Sequence, residues 1–238
     1  WDRVADLINE RTRLIVTNTP HNPTGAVWLP EDIEALRAVL ARADAAGREI
    51  YLLADEVYEH IIFDDRRHIS LMTLPGMRDR TVRIGSAGKS FSLTGWKVGY
   101  ITAAAELMKA IARTHQFMTF TTAPNLQWGA ATGLRLKDGY FSALASEMQR
   151  KRDHLAGALA KSGFDVLPSH GTYFVTTDFR PLGFNGTDEE FCRHITVKAG
   201  VTAVPVSAFY SSAEAPHHFV RFCFCKHDST LDSAIERL

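Results

Sequence analysis

An excess of charge of either sign is the first thing this sequence lacks. Its 27 lysines and arginines meet 27 aspartates and glutamates, so the formal net charge is zero, and the pI lies near 7.3. That removes the general case for nucleic acid or an anionic membrane as a partner and leaves only local patches. Long apolar runs are missing too: none approaches the ~20 residues that span a bilayer. No signal-peptide pattern opens the sequence, which starts at Trp1 rather than Met, so a leader could still precede it. Cysteine is scarce and odd in number, with Cys192, Cys223 and Cys225 alone. This favours a reducing cytoplasm over a disulfide framework. Cys223 and Cys225 share one face of a strand-like run and have no second Cys/His pair at ligand spacing. Two small buried hydrophobes are therefore a better account of them than a zinc site. Internal repeats and low-complexity tracts are absent as well.

What is present is an ordinary globular composition, 45% hydrophobic over 238 residues, enough for one large domain or two modest ones. Residues 13–18 (RLIVTN) form a first strand candidate, and the two prolines and Gly25 of TPHNPTG end it in a tight turn around Asn22. Pro30-Glu31-Asp32 opens a helix with the apolar stripe Ile33, Leu36, Val39, Leu40 and Ala43, and Gly47 stops it. Residues 49–55 (EIYLLAD) are a second strand, followed by Glu56, Val57 and Tyr58. Asp55 reads either as a helix N-cap or as a partly buried carboxylate that needs a cationic or donating partner. Residues 59–80 show no strong helical period. A third strand, Thr81-Val82-Arg83-Ile84, then ends at Gly85 and delivers Ser86, Ala87, Gly88, Lys89 and Ser90.

A lysine presented this way either holds a phosphate as a point charge or condenses with a carbonyl; alone, it reads as a solvated surface residue. Counting excludes a P-loop, which needs four residues between its first glycine and the GK pair. Only Ser86 and Ala87 separate Gly85 from Gly88-Lys89. The three strands thus end in polar clusters at Asn22, at Asp55 and Tyr58, and at Ser86 and Lys89. Strand, helix, strand predicts a parallel α/β sheet, in which ligands bind beyond the carboxyl ends of the strands. A fourth strand, residues 97–102, follows too closely for a helical crossover and is expected to run antiparallel. Helices are expected from Glu106, over 126–136, over 140–161 and over 188–198, with a last one from Asp228. Short strands lie among the later helices, in an α+β layout. The domains expected are 1–138, a large α/β domain with a mostly parallel sheet, and 139–238, a smaller α+β domain led by a long linking helix.

With these motifs in view (NPTG at 22–25, D-x-x-Y at 55–58, S-x-x-K at 86–89 before GWKVGY, and the late VRFCFCK), the chain resembles the pyridoxal-phosphate aminotransferases of class I/II. Those are the fold-type-I enzymes of the aspartate-aminotransferase superfamily. The likeness is strongest to the kynurenine, glutamine and methionine aminotransferases. The resemblance implies that Lys89 holds pyridoxal 5′-phosphate as an internal aldimine and later shuttles the proton between Cα and C4′ through a quinonoid. It implies that Asp55 pairs with the pyridine nitrogen. Asn22 and Tyr58 would bond the ring's 3′ oxygen, with Asn22 also near the substrate. Ser86 and Lys97 would contact the phosphate, and Arg221 would grip the substrate α-carboxylate. Phe120, with His115 and Gln116, would lie by the substrate pocket, although helix-packing aromatics are a commoner explanation. Arg221 could instead be an edge-strand surface residue, Lys97 a solvated lysine and Tyr58 a core residue.

Members of this group carry a long N-terminal part that is not found before Trp1, so the chain is expected to be N-terminally incomplete. Amino-group transfer from an amino acid to a 2-oxo acid, in a homodimer, is the function implied. A carbon–sulfur β-lyase on the same scaffold is the alternative; such lyases commonly read Asp-Glu-Ile-His where this chain has Asp55-Glu56-Val57-Tyr58. A cofactor-free remnant with a binding role is the non-enzymatic reading. No metal is expected.

Overall fold

In the computed structural model residues 1–212 and 214–238 are described, and they fall into two compact units. The first comprises residues 1–20, 27–60 and 67–141, and the second 21–26, 61–66 and 142–238.

The first unit begins with a short helix, α1 (Asp2–Leu7), that the sequence pattern did not predict. Strand β1 (Leu14–Asn18), helix α2 (Pro30–Ala45), and strands β2 (Tyr51–Asp55) and β3 (Thr81–Ser86) follow where the apolar periods put them. Helix α2 starts at its proline, and Asp32 Oδ2 accepts the Leu29 N–H at 2.9 Å, satisfying one of the donors a helix start leaves unpaired. Its stripe of Ile33, Leu36, Leu40 and Ala43 packs on Ile50, Leu52 and Ala54, with Leu71 and Met77 closing the cluster. Leu36, Ile50 and Leu52 are fully buried, each contributing about 1.5–3 kcal/mol by leaving water. Because strand side chains alternate, the burial of Leu52 and Ala54 puts Leu53 and Asp55 on the opposite face.

β1, β2 and β3 pair in parallel, with Asn18 opposite Asp55 and Asp55 opposite Ile84. A one-turn helix, α3 (Ala87–Ser90), follows β3 directly, so Lys89 sits on helix rather than in an open turn. Strand β4 (Gly99–Thr102) completes the sheet order β1-β2-β3-β4 and runs antiparallel to β3, as the short connection requires. It begins two residues later than the pattern suggested, because Lys97 takes a left-handed conformation after a 3₁₀ turn over Thr94–Trp96. Between β2 and β3 there is no long crossover helix, only 3₁₀ turns at Leu71–Thr73 and Arg78–Arg80. Helices α4 (Ala105–Met118) and α5 (Pro124–Leu134) follow, and α4 buries none of its residues.

Most of helix α6 (Asp138–Lys161) belongs to the second unit, and Gly163, at φ 97°, ends it. Strands β5 (Asp165–Val166) and β6 (Phe174–Asp178), helix α7 (Asp188–Lys198), strands β7 (Val204–Pro205) and β8 (Phe219–Cys223), and helix α8 (Asp228–Ile235) follow. The sheet order is β5-β6-β8-β7, antiparallel throughout. Thr187 and Glu190 form a reciprocal capping box at the start of α7, with bonds of 3.3 and 2.8 Å. The core is aromatic: Phe179 stacks on Phe191 at 4.3 Å, and Phe164 meets Phe222 edge-on at 5.7 Å. Val220 and Phe222 are buried, so Phe219, Arg221 and Cys223 share the other face of β8. Among the described residues no helix is long and apolar enough to cross a membrane.

Candidate active site

In the first unit the chemistry gathers at the carboxyl ends of β2 and β3. Asp55 is the last residue of β2, and its main-chain carbonyl accepts from Asn18 Nδ2 at 3.1 Å and Thr19 N at 3.2 Å. Its carboxylate Oδ1 accepts the Val57 N–H at 3.3 Å, the local turn bond of an aspartate that ends a strand. That bond leaves Oδ2 for another donor. Tyr58 lies in the turn just beyond, only 2% exposed. Ser86 closes β3, and Lys89 reaches back from α3 so that its Nζ lies 5.6 Å from the centre of the Tyr58 ring. Two of the three strand-end clusters are therefore in contact.

Gly88 lets the turn that carries Lys89 pack closely on the segment after it. A Cβ there would come within 3.0 Å of Thr94 Cα and 3.3 Å of Ser86 Oγ. The Gly88 carbonyl is tied to the same segment by Thr94 Oγ1 and Leu93 N, both at 3.1 Å. Lys97 is exposed at the end of that segment. Phe120, 75% exposed with φ 63°, presents its ring to the surface after α4. His115 lines a cavity of about 510 Å³ with Ile84, Tyr100, Ile101 and Ile111.

Beneath these groups is a charge network that the motifs did not reveal. Glu56, 1% exposed, accepts from His68 Nε2 at 2.9 Å, Arg83 Nε at 2.8 Å, Ser70 Oγ at 3.1 Å and Leu71 N at 3.2 Å. Arg83 also donates to Glu59, which accepts from Tyr100 Oη at 3.1 Å. Gly85 makes room for that tyrosine, since a Cβ there would lie 2.2 Å from its ring. Burial pushes the Glu56 pKa up, but the bonds from His68, Ser70 and Arg83 outweigh it and hold the carboxyl below its ordinary value. Burial and the nearby Glu59 carboxylate push Tyr100 up to about 12. Glu56, Glu59 and His68 bring their ligand atoms within 4.8 Å of one another. Arg83 sits in that cluster as its cation and pairs with both carboxylates, which makes it an ion-pair network. The available signal was an arginine inside an otherwise apolar strand, but only tertiary structure identifies its partners.

The second unit holds Asn22 and Arg221. Asn22 lies in a turn closed by Gly25 N to His21 O and His21 N to Ala26 O, both 2.8 Å. Gly25 has φ 71°, and a Cβ on it would strike Ser169 Oγ at 2.3 Å. The peptide between Asn22 and Pro23 is cis. Arg221, half-buried on β8, donates through Nη1 to Asn22 Oδ1. Its guanidinium lies over the rings of Phe174 at 3.8 Å and Phe209 at 4.9 Å. An arginine that lies over two rings and bonds an amide oxygen is preorganised, and its planar fork suits a carboxylate.

The chain is similar to known proteins along its whole length. Residues 1–238 match the family described as aminotransferase class I and II. Methionine aminotransferase of Escherichia coli (strain K12) is 41% identical over 238 residues, covering all of this chain and 60% of the relative. Kynurenine–oxoglutarate transaminase of Dictyostelium discoideum is 38% identical over 257 residues, covering all of this chain and 58% of its own length. The solved structure of N-succinyldiaminopimelate aminotransferase from Mycobacterium tuberculosis superposes with a TM-score of 0.92 at 41% identity, covering 99% of this chain and 60% of that one. The chain thus spans about 60% of the length of the relatives it matches.

Proposed function

The chain belongs to the class I and II aminotransferases, and from that membership we propose that the whole protein moves an amino group from an amino acid to a 2-oxo acid. Members of the family depend on pyridoxal 5′-phosphate, and the donor set here suits that cofactor. It offers a carboxylate for a protonated ring nitrogen, a phenol and an amide for the ring oxygen, an amine for the aldehyde, and a hydroxyl with a cation for the phosphate. Bound, the cofactor supplies a conjugated ring that takes up the electrons left at the substrate Cα when its proton departs.

The chain's own residues do the rest. Lys89 would hold the cofactor through its amine and would serve as the base that takes the proton from the substrate Cα and returns it. Asp55 accepts from the ring nitrogen and keeps it protonated. Tyr58 and Asn22 would donate to the ring oxygen, and Asn22 Oδ1 accepts from Arg221. Ser86 and Lys97 hold the phosphate. Arg221 binds the substrate α-carboxylate through two N–H donors, with Asn22 setting its orientation and Phe120 beside the substrate. Residues 1–138 act as the cofactor domain and 139–238 as the small domain, in a cytoplasmic homodimer.

The observation that carries this reading is the approach of Lys89 Nζ to the buried Tyr58 ring at 5.6 Å, which joins the ends of β2 and β3. The relatives' names supply the first donors to assay, methionine and kynurenine, with 2-oxoglutarate as acceptor. Asp55→Asn is expected to cut turnover on the order of 100- to 1,000-fold while leaving the fold intact. Unchanged turnover would reduce Asp55 to its turn bond with Val57. A cysteine S-conjugate that yields a thiol, ammonia and a 2-oxo acid, with no acceptor needed and no new amino acid formed, would restore the lyase reading.

A further inference from the structure

Cys223 closes β8 and Cys225 follows it closely, and the sequence pattern treats both as small buried hydrophobes. Both are instead half-buried, and their sulfurs are hydrogen-bonded at 3.2 Å. The backbone explains the approach. Lys226 N donates to Phe224 O at 2.8 Å, a three-residue turn that bends the chain just past the strand and swings the second side chain toward the first. Phe224, between them, is fully buried, and its N–H donates to Tyr173 O at 3.0 Å, which anchors the segment. Cys223 also lines a cavity of about 510 Å³ together with Thr202, Lys226, Ser229 and Arg237. The cavity gives a small molecule access to the sulfur and lines that path with two cations.

We propose that Cys223 and Cys225 form a thiol–disulfide exchange site, with Cys223 attacking and Cys225 resolving, whose oxidant is an anionic low-molecular-weight disulfide. The Cys223 thiolate attacks one sulfur of the disulfide RSSR, forming Cys223–S–SR and releasing RS⁻, which takes up the proton Cys223 lost. Cys225 then gives up its proton and attacks the Cys223 sulfur. The Cys223–Cys225 bond forms, and the second RS⁻ leaves and is protonated. The two protein thiols are oxidised, and one RSSR is reduced to two RSH. Forming an S–S bond of about 2.05 Å draws the sulfurs roughly 1.1 Å closer than they lie here.

The division of roles follows from the surroundings. The hydrogen bond with Cys225 lowers the Cys223 pKa; burial opposes this, and Lys226 and Arg221 add to the lowering. Cys225 is pushed up, first by that same bond and then by burial. Cys192 serves as an internal control: burial, then the charges of Asp188 and Glu189, push it up to about 12, and it is expected to stay inert.

The test is to treat the full-length protein with oxidised glutathione, alkylate the remaining thiols and map the peptides by mass. Trypsin releases Phe222–Lys226 as one peptide. It is expected to be lighter by two hydrogens, to resist alkylation and to recover with dithiothreitol. Cys225→Ser should trap glutathione on Cys223, and Cys223→Ser should leave Cys225 unmodified. A wild-type peptide that remains fully alkylated, that retains glutathione, or a Cys223→Ser protein modified at Cys225 would overturn the proposal.

Discussion

Gly88→Ala tests how the sequence positions Lys89. The added methyl would sit 3.0 Å from Thr94 Cα, 3.3 Å from Ser86 Oγ and 3.4 Å from Thr94 N. Ordinary contact begins near 3.4 Å, so the turn must yield by several tenths of an ångström, and two of the three obstacles are backbone atoms. The segments cannot simply part, because Thr94 Oγ1 and Leu93 N both hold the Gly88 carbonyl at 3.1 Å. Overpacking of this kind costs about 1–3 kcal/mol, and the better helix propensity of alanine returns up to about 1. The net loss of stability should therefore be small, on the order of 1–2 kcal/mol. The loss of activity should be larger, because Lys89 is the next residue and, where a full 1 Å misplacement costs roughly 100-fold in rate, a shift of several tenths should cost about tenfold. Thermal unfolding and steady-state transaminase kinetics on the same preparation separate the two. A variant within twofold of wild type in kcat would refute the claim that this contact sets the lysine.

Gly157→Ala is the matching control: the position lies inside α6 with nothing within 4 Å of an added Cβ, so unfolding midpoints should rise by the equivalent of about 0.5–1 kcal/mol. Asp64 accepts two bonds from Arg152, at 2.6 and 2.7 Å, and one from the His170 ring at 2.7 Å. The Arg152 bonds, then that from His170, hold it at about 2 against some burial. Its folded pKa lies below the unfolded one, so its contribution is complete above about pH 4 and is lost as the pH falls toward 2. Because the side chain is a third exposed, the contribution should be about 1–2 kcal/mol after screening. Asn tolerates the left-handed backbone at this position (φ 59°), and urea denaturation of Asp64→Asn should lose the extra slope between pH 4 and 2; an unchanged slope would contradict the assignment.

Local signals carried most of the fold. The α2 stripe and the alternation in β2 mark one buried face, and that alternation is what turns Asp55 away from the core. The antiparallel sense of β4 was legible from the length of the connection alone. Three kinds of feature were not legible, and each depends on contacts distant in sequence. Residues 21–26 and 61–66 group with the second unit, although each follows a first-unit segment without a break. The partners of Arg83 come from two separate stretches, Glu56 with Glu59 in one and Tyr100 in the other. The Cys223–Cys225 contact depends on a turn that composition does not signal, because Phe-Cys-Phe-Cys reads as a continuing strand. Lys89 is an intermediate case. Ser-Ala-Gly-Lys-Ser suggests a flexible turn, but the small residues instead pack one helical turn closely against Thr94.

The central claim is that Lys89 is the residue that bonds the cofactor carbonyl. Borohydride reduction of the full-length, cofactor-loaded protein, followed by tryptic mapping, tests it directly. Modified Lys89 resists cleavage, so the account predicts a phosphopyridoxyl label on a single peptide, Ile84–Lys97, with fragmentation placing it on Lys89, and no label in Lys89→Ala. A label on Lys97, or on any other lysine while Lys89 remains cleavable, would contradict it.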